Sequence, residues 1–287
     1  MFVRVKGSRR ADDSLHMGWC VRVALRMNRR LVVQVSTGVA ALVVGGLLYS
    51  RHVRSSEAAA RVAAALSASE ARGDIVLLRV PHVPGAITLD GDTDDPGWLL
   101  PPGPARTGDF LSDTGKPARP YSDTRLVWGD GHLYLALYAA DQDIESHTDQ
   151  PDGPVWLDDA FRVVFSRPGV EYAFDVSPKA VITDSIRRSG GEWDYTWNSG
   201  AHASAEMDGT INDPTNKDEE WVIELAIPFE SLGMEGVPGE SIGMSLSRCD
   251  IPKRASRVCS GWGDGSAVEG RGTIVLERVG AGTPGSR

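Results

Sequence analysis

Carboxylates stand in tight groups along this chain, and each group poses a chemical question. Asp90-Gly91-Asp92-Thr93-Asp94-Asp95 has the carboxylate density that calcium favours, without the twelve-residue loop and terminal Glu of a helix-loop-helix calcium site. Asp158-Asp159 and Glu219-Glu220 are the kind of acid pair a glycosidase uses. Neighbours in a strand point to opposite faces, however, so neither pair can flank one bond. Gly239-Glu240-Ser241-Ile242-Gly243 spells Gly-x-Ser-x-Gly, but Ser241 to Leu246 reads as a strand where a nucleophile elbow leads into a helix; no His-Glu-x-x-His or Gly-x-x-x-x-Gly-Lys occurs, which argues against a zinc hydrolase and a phosphate-cradling enzyme. Cys249 and Cys259 flank the segment Asp250 to Val258. Two thiols on the arms of one connection can close it as a disulfide or stay free, and they fall short of the four ligands of a structural zinc site.

Charge narrows the partners. The 287-residue chain is 41% hydrophobic with a net charge of −9, yet residues 1 to 30 hold eight Lys/Arg against two Asp/Glu, so the remainder carries −15. An acidic body argues against nucleic acid, whose phosphates need a basic face. A neutral, polyhydroxylated ligand is compatible with it. From Leu31 to Ser50 no residue is charged, and at about 1.5 Å rise per residue this run reaches roughly 30 Å, the thickness of a bilayer core. Arg51-His52-Val53-Arg54 follows where a signal peptide would place small residues, so an uncleaved anchor is expected rather than a secretion signal. The denser positive charge before the run puts the N-terminus in the cytoplasm and the body outside, in the periplasm or at the cell surface.

The expected organisation is a basic leader over 1–30, a transmembrane signal anchor over 31–50, a helical stalk over 51–73 and a β domain over 74–287. Residues 1–26 fall away if Met27 is the true start. The stalk follows from strong helix formers such as Glu57-Ala58-Ala59-Ala60-Arg61, with Gly73 as a stop. Beyond it, nine strand-like runs recur: 75–80, 125–128, 133–139, 160–165, 171–176, 203–207, 221–227, 241–246 and 273–279. In Trp221-Val222-Ile223-Glu224-Leu225-Ala226-Ile227-Pro228, large apolar groups alternate with smaller or polar ones, as a half-buried antiparallel strand requires, and Pro228 ends the ladder. Gly129-Asp130-Gly131 joins two runs as a tight hairpin. An all-β, antiparallel, jelly-roll-like sandwich is expected.

Several landmarks occur in a telling order. They are Ile87-Thr88-Leu89-Asp90-Gly91 to Trp98, the hairpin Arg125 to Leu135, Trp156-Leu157-Asp158-Asp159-Ala160-Phe161-Arg162, and the strand Trp221 to Phe229 with Leu232-Gly233 and Pro238-Gly239-Glu240-Ser241-Ile242-Gly243 behind it. Over roughly Ile87 to Val279 this set resembles carbohydrate-binding module family 9. The resemblance implies a non-catalytic sugar-binding domain for poly- or oligosaccharide in which two tryptophans, here Trp156 and Trp262, sandwich a sugar ring. The C–H faces of a pyranose stack on a flat indole, and nearby polar groups bind its hydroxyls. Where family binders carry a Glu and an Arg-x-Asn, this chain has Arg162 and Asp175, as polar ligand contacts or as a cross-strand pair. The family also implies structural calcium, with Asp90 and Asp92, or Asp141 and Asp143, as candidate ligands.

Other aromatic and sulfur groups leave alternatives. Trp98 is read as plugging the base of the sandwich, and Trp128 and Trp221 as core. Trp193, Tyr195 and Trp197, spaced by two, would share one face of an extended segment, widening a glycan platform or covering a sheet edge. A sandwich serving only adhesion or assembly is one alternative function. A haem b redox sandwich is another, drawing on Met207, Met234 and Met244 with His82, His132, His147 and His202.

Overall fold

The computed structural model describes residues 61, 64–68, 70–71, 76–84, 87–101, 103–253, 255–263 and 271–278. The chain divides into two units, Met1–Arg51 and His52–Arg287, and the described residues lie in the second. The expected span over 31–50 lies outside them; among the described residues no helix is long and apolar enough to cross a membrane. Within 51–73 the described residues are helical. From the body, Arg79 bonds Glu70 Oε2 at 2.9 Å and Ser67 Oγ at 3.0 Å in that helix, and Glu277 at 2.8 Å.

Two sheets face each other. One runs β1 (Leu77–Pro81), β12 (Arg271–Glu277), β10 (Ser241–Asp250), β5 (Ala160–Arg167), β6 (Val170–Val176), β7 (Ile182–Arg188), with β11 (Val258–Trp262) on the second half of β10. The other runs β2 (Ala105–Arg106), β3 (Ser122–Gly129), β4 (His132–Ala140), β9 (Glu220–Pro228), β8 (His202–Asp208). All nine expected strands form. The strand pairs are antiparallel save one: β1 runs parallel to β12, so the larger sheet is mixed where a purely antiparallel one was expected. Asp130 and Gly131 both take positive φ, 46° and 79°, which makes the two-residue turn between β3 and β4 type I′.

The core lies between the sheets. Trp221, Ile223, Leu225 and Ile227 on β9 meet Phe161, Val163 and Phe165 on β5, all fully buried, with the Phe161 and Trp221 rings edge to face at 5.1 Å. Trp98 departs from expectation. It sits in a second apolar cluster with Val83, Ile87, Val127, Tyr134 and Ala226, where residues 83–84 and 87–98 cover the outer face of the five-stranded sheet. Its Nε1 donates to Glu224 Oε1 at 2.7 Å, and the backbone N–H groups of Asp90 and Gly91 donate to Oε2 of the same carboxylate. A polar residue of β9 thus becomes buried because the arm supplies its partners.

The haem reading finds no support in this packing. Met234 and Met244 are core residues, whereas His82 and His132 are half-buried at the surface and His147 and His202 are exposed. No described histidine reaches the core where an axial pair would form.

Candidate functional site

The outward face of the larger sheet collects the groups that can recognise a ligand. Alternation sends Phe161, Val163 and Phe165 inward, so Arg162, Val164 and Ser166 point out. The register then aligns Gly261, Ser247, Arg162, Asp175 and Thr183 in one transverse row across β11, β10, β5, β6 and β7. Glu171 and Arg187 are register partners on the same face. A flat indole and a row of side chains with both donors and acceptors are what a sugar ring needs.

Arg162 and Asp175 pair across adjacent strands, and Arg187 pairs with Glu171 through its Nε at 2.7 Å. Burial pushes the Asp175 carboxyl up, opposed by the Arg162 and Arg257 guanidinium groups. Both paired arginines lie over the Trp193 ring, with Cζ at 5.3 Å for Arg162 and 4.6 Å for Arg187. Thr183 donates to the Gly153 carbonyl, which draws the loop before β5 over the row.

The aromatic residues divide differently from the expected pattern. Trp156 sits on a single 3-10 turn, Val155–Leu157, with 38% of its surface exposed and its ring 5.5 Å from that of Tyr195. Trp262 is no loop residue: it is the last residue of β11, 6% exposed and part of the core. Gly272 leaves room for its ring, since a Cβ there would stand 2.4 Å from the indole. Trp156 and Trp262 therefore do not form the two walls of a slot. Trp193, Tyr195 and Trp197 do not share one face either. Trp197 packs against Tyr172 and Phe174 at the core edge, while Tyr195 joins Trp156 and Trp193 joins the arginines.

Arg257 completes the face. It was not singled out from the sequence, yet its Nη1 donates to the Trp156 carbonyl. It leaves the chain one residue before β11, where Cys259 is disulfide-bonded to its register partner Cys249. That bond ties both arms of the 250–258 segment, and so fixes where Arg257 can reach.

A different cluster fills one end of the sandwich. Asp141, Asp159 and Asp250 are buried with one oxygen each within 4.8 Å of the others. Arg248, also buried, donates through Nη2 to Asp141 at 2.8 Å and to Asp250 at 2.7 Å, and Trp221 Nε1 donates to Asp141 at 3.0 Å. Asp159 accepts the backbone N–H groups of Glu145 and Ile251, both at 2.7 Å. Calcium takes six to eight oxygens. Here the carboxylates already answer N–H donors and a guanidinium, so this set fits an ion-pair network better than a calcium shell. Of the expected calcium ligands Asp141 belongs to this group of three; Asp143 is buried and gives its N–H to Asp141, Asp90 accepts the N–H of Asp92 in a turn, and none of these three belongs to such a group among the described residues.

Titration of this cluster should be visible in stability. Burial first, then the Asp141 charge, pushes Asp159 up to about 8, and burial pushes Asp250 up to about 6. A carboxyl whose folded pKa is raised binds its proton more tightly folded than unfolded, so stability falls as pH rises from the unfolded value near 4 through the folded one. The melting temperature is expected to drop between pH 5 and 8, and Asp159→Asn to flatten that slope. A melting temperature that rises across this window would contradict the assignment.

A cleft of about 1050 Å³ opens beside this cluster and is lined by Arg119, Tyr121, Asp141, Asp143, Asp250 and Lys253 among others. Its one aromatic, Tyr121, turns to Tyr138 with ring centres 5.9 Å apart. It offers no exposed flat ring to a sugar; the sheet face does.

No protein-family model and no curated protein matches the chain. Among solved structures, a "putative carbohydrate-binding protein" from Bacteroides uniformis is similar, with a TM-score of 0.56 over 71% of this chain and 100% of that one, at 14% identity. The two share a fold. A carbohydrate-binding module of family 9 from Caldicellulosiruptor kristjanssonii, in complex with cellotriose, is also similar, with a TM-score of 0.47 over 74% of this chain and 100% of that one, at 15% identity. The residues of the face have to be judged on their own chemistry.

Proposed function

We propose that this chain is a non-catalytic carbohydrate-binding sandwich that takes poly- or oligosaccharide on the outer face of its larger sheet. The observation that carries this is the exposed Trp156 indole, with Tyr195 beside it, on a segment that Thr183 of the Ser247–Arg162–Asp175–Thr183 row ties down through the Gly153 carbonyl. The indole stacks the apolar face of a pyranose and Arg162 donates to its hydroxyls, while Asp175 and Thr183, both buried, hold Arg162 and the Gly153 loop in place beneath it. Stacking on one open indole replaces the two-tryptophan slot, because Trp262 is core. The shared fold with a Bacteroides uniformis protein of that description supports the reading.

The domain is displayed on the outer side of a membrane by the uncharged run 31–50, whose basic leader favours the cytoplasm. Protease added to spheroplasts would then strip it, and protection would oppose the orientation. A glycan array probed with the full-length chain in mild detergent tests the function. Binding to at least one glycan class, lost in Trp156→Ala, is expected. An array with no bound glycan would overturn the reading in favour of adhesion or assembly, for which Leu157 and Val258 are exposed apolar groups close to Trp156 in the chain or on the same sheet.

A further inference from the structure

We infer that the sugar taken on this face is acidic, a glycan containing hexuronic acid, and that Arg257 is the residue that selects it. The inference rests on the sugar-binding reading above and names its substrate class. Three guanidinium groups reach the face, and two are matched: Arg162 by Asp175 and Arg187 by Glu171. Arg257 has no ion-pair partner among the described residues. The charges that act on it come from Asp159, Asp175 and Asp158. Asp175 is already neutralised by Arg162. Asp158 is buried and turned inward, accepting Ser146 Oγ at 3.2 Å and the Thr148 N–H at 2.9 Å. Asp159 is buried and turned inward, accepting the N–H groups of Glu145 and Ile251. What remains, among the described residues, is an exposed cation without an ion-pair partner, bonded to the Trp156 carbonyl.

The geometry suits a uronate. Arg257 is anchored by one N–H to the backbone carbonyl of Trp156, so the guanidinium is tied to the turn that carries the stacking ring. A planar guanidinium keeps further N–H groups for a carboxylate, which it can grip through two parallel bonds. In a hexuronic acid the carboxylate hangs from C5 at the edge of the pyranose ring. A pyranose stacked on Trp156 can turn that edge toward Arg257, which its bond to the Trp156 carbonyl keeps on the same turn. The net negative charge of the body is screened beyond about 8 Å at physiological salt, so contact with the local cation governs affinity once the ligand has docked.

The test uses the full-length chain and two probe pairs, oligogalacturonate and oligoglucuronate, each against its carboxyl-reduced neutral form. The acid form is expected to bind at least tenfold more tightly than its neutral counterpart, and to weaken as salt rises from 0.1 to 0.5 M. Arg257→Gln should remove the preference while keeping the weaker neutral binding, and Arg257→Lys should restore only part of it. If a neutral form binds as tightly as its acid, or if neither binds while the array finds another glycan, the inference falls and the sugar-binding reading stands. If the array finds no glycan at all, both fall.

Discussion

Replacing Arg248 with alanine is expected to cost the domain about 3 to 5 kcal/mol, the usual penalty for breaking a buried ion pair by removing one partner. The guanidinium binds both sheets at once. Its Nη1 donates to the Ala140 carbonyl at 2.8 Å and to Ser122 Oγ at 3.2 Å, on strands of one sheet, while Nη2 joins Asp141 to Asp250 on the other. It also lies 5.6 Å from the Trp221 ring centre. Without it, two buried carboxylates keep their mutual repulsion and lose their counter-charge. Native domains hold only about 5 to 15 kcal/mol in reserve. Urea unfolding should show a large drop in midpoint for Arg248→Ala, partly recovered when Asp250→Asn is added. A single-variant midpoint within error of the parent would show that the network contributes little.

Two tryptophan variants are expected to fail in opposite ways. Trp156→Ala should leave the melting temperature nearly unchanged, because the ring is exposed on a 3-10 turn, and should weaken glycan binding by roughly thirtyfold, about 2 kcal/mol for an aromatic anchor. Trp262→Ala empties a core position fitted against Gly272 and should destabilise the fold by about 3 to 5 kcal/mol. Calorimetric titration and thermal unfolding of both variants separate the two roles. Intact binding in Trp156→Ala would remove its assigned part.

Much of this architecture was legible because its signal is local. Alternation marked nine strands, and the Gly129-Asp130-Gly131 turn fixed the pairing of β3 with β4. β7 went unread because Thr183, Asp184 and Ser185 make it polar. Its outward residues join the transverse row, and Asp184 accepts the Ser199 N–H at 2.7 Å to anchor the excursion before β8. β11 went unread because Ser260-Gly261-Trp262-Gly263 looks like a loop; pairing with β10 and the disulfide make it a strand, and that turned Trp262 from a surface ring into a core one. Arg248 was missed for a related reason. The expected strand stopped at Leu246, yet continuing the alternation of Met244 and Leu246 two residues further places an arginine on the inward face. An inward arginine demands buried acids. Arg257 had no local signal, since its position comes from a fold-back of the chain onto Trp156, 101 residues away.

The location of the site is the central claim, and a hydrogen-exchange footprint tests it most directly. The full-length chain should be measured with and without a saturating oligosaccharide chosen from the array. Protection is expected in peptides covering 152–162, 173–187, 193–195 and 257–262, with no change around 119–121, 141–143, 216–219 and 250–253. Protection confined to that second set would place the ligand in the acidic cleft and contradict the assignment of the sheet face.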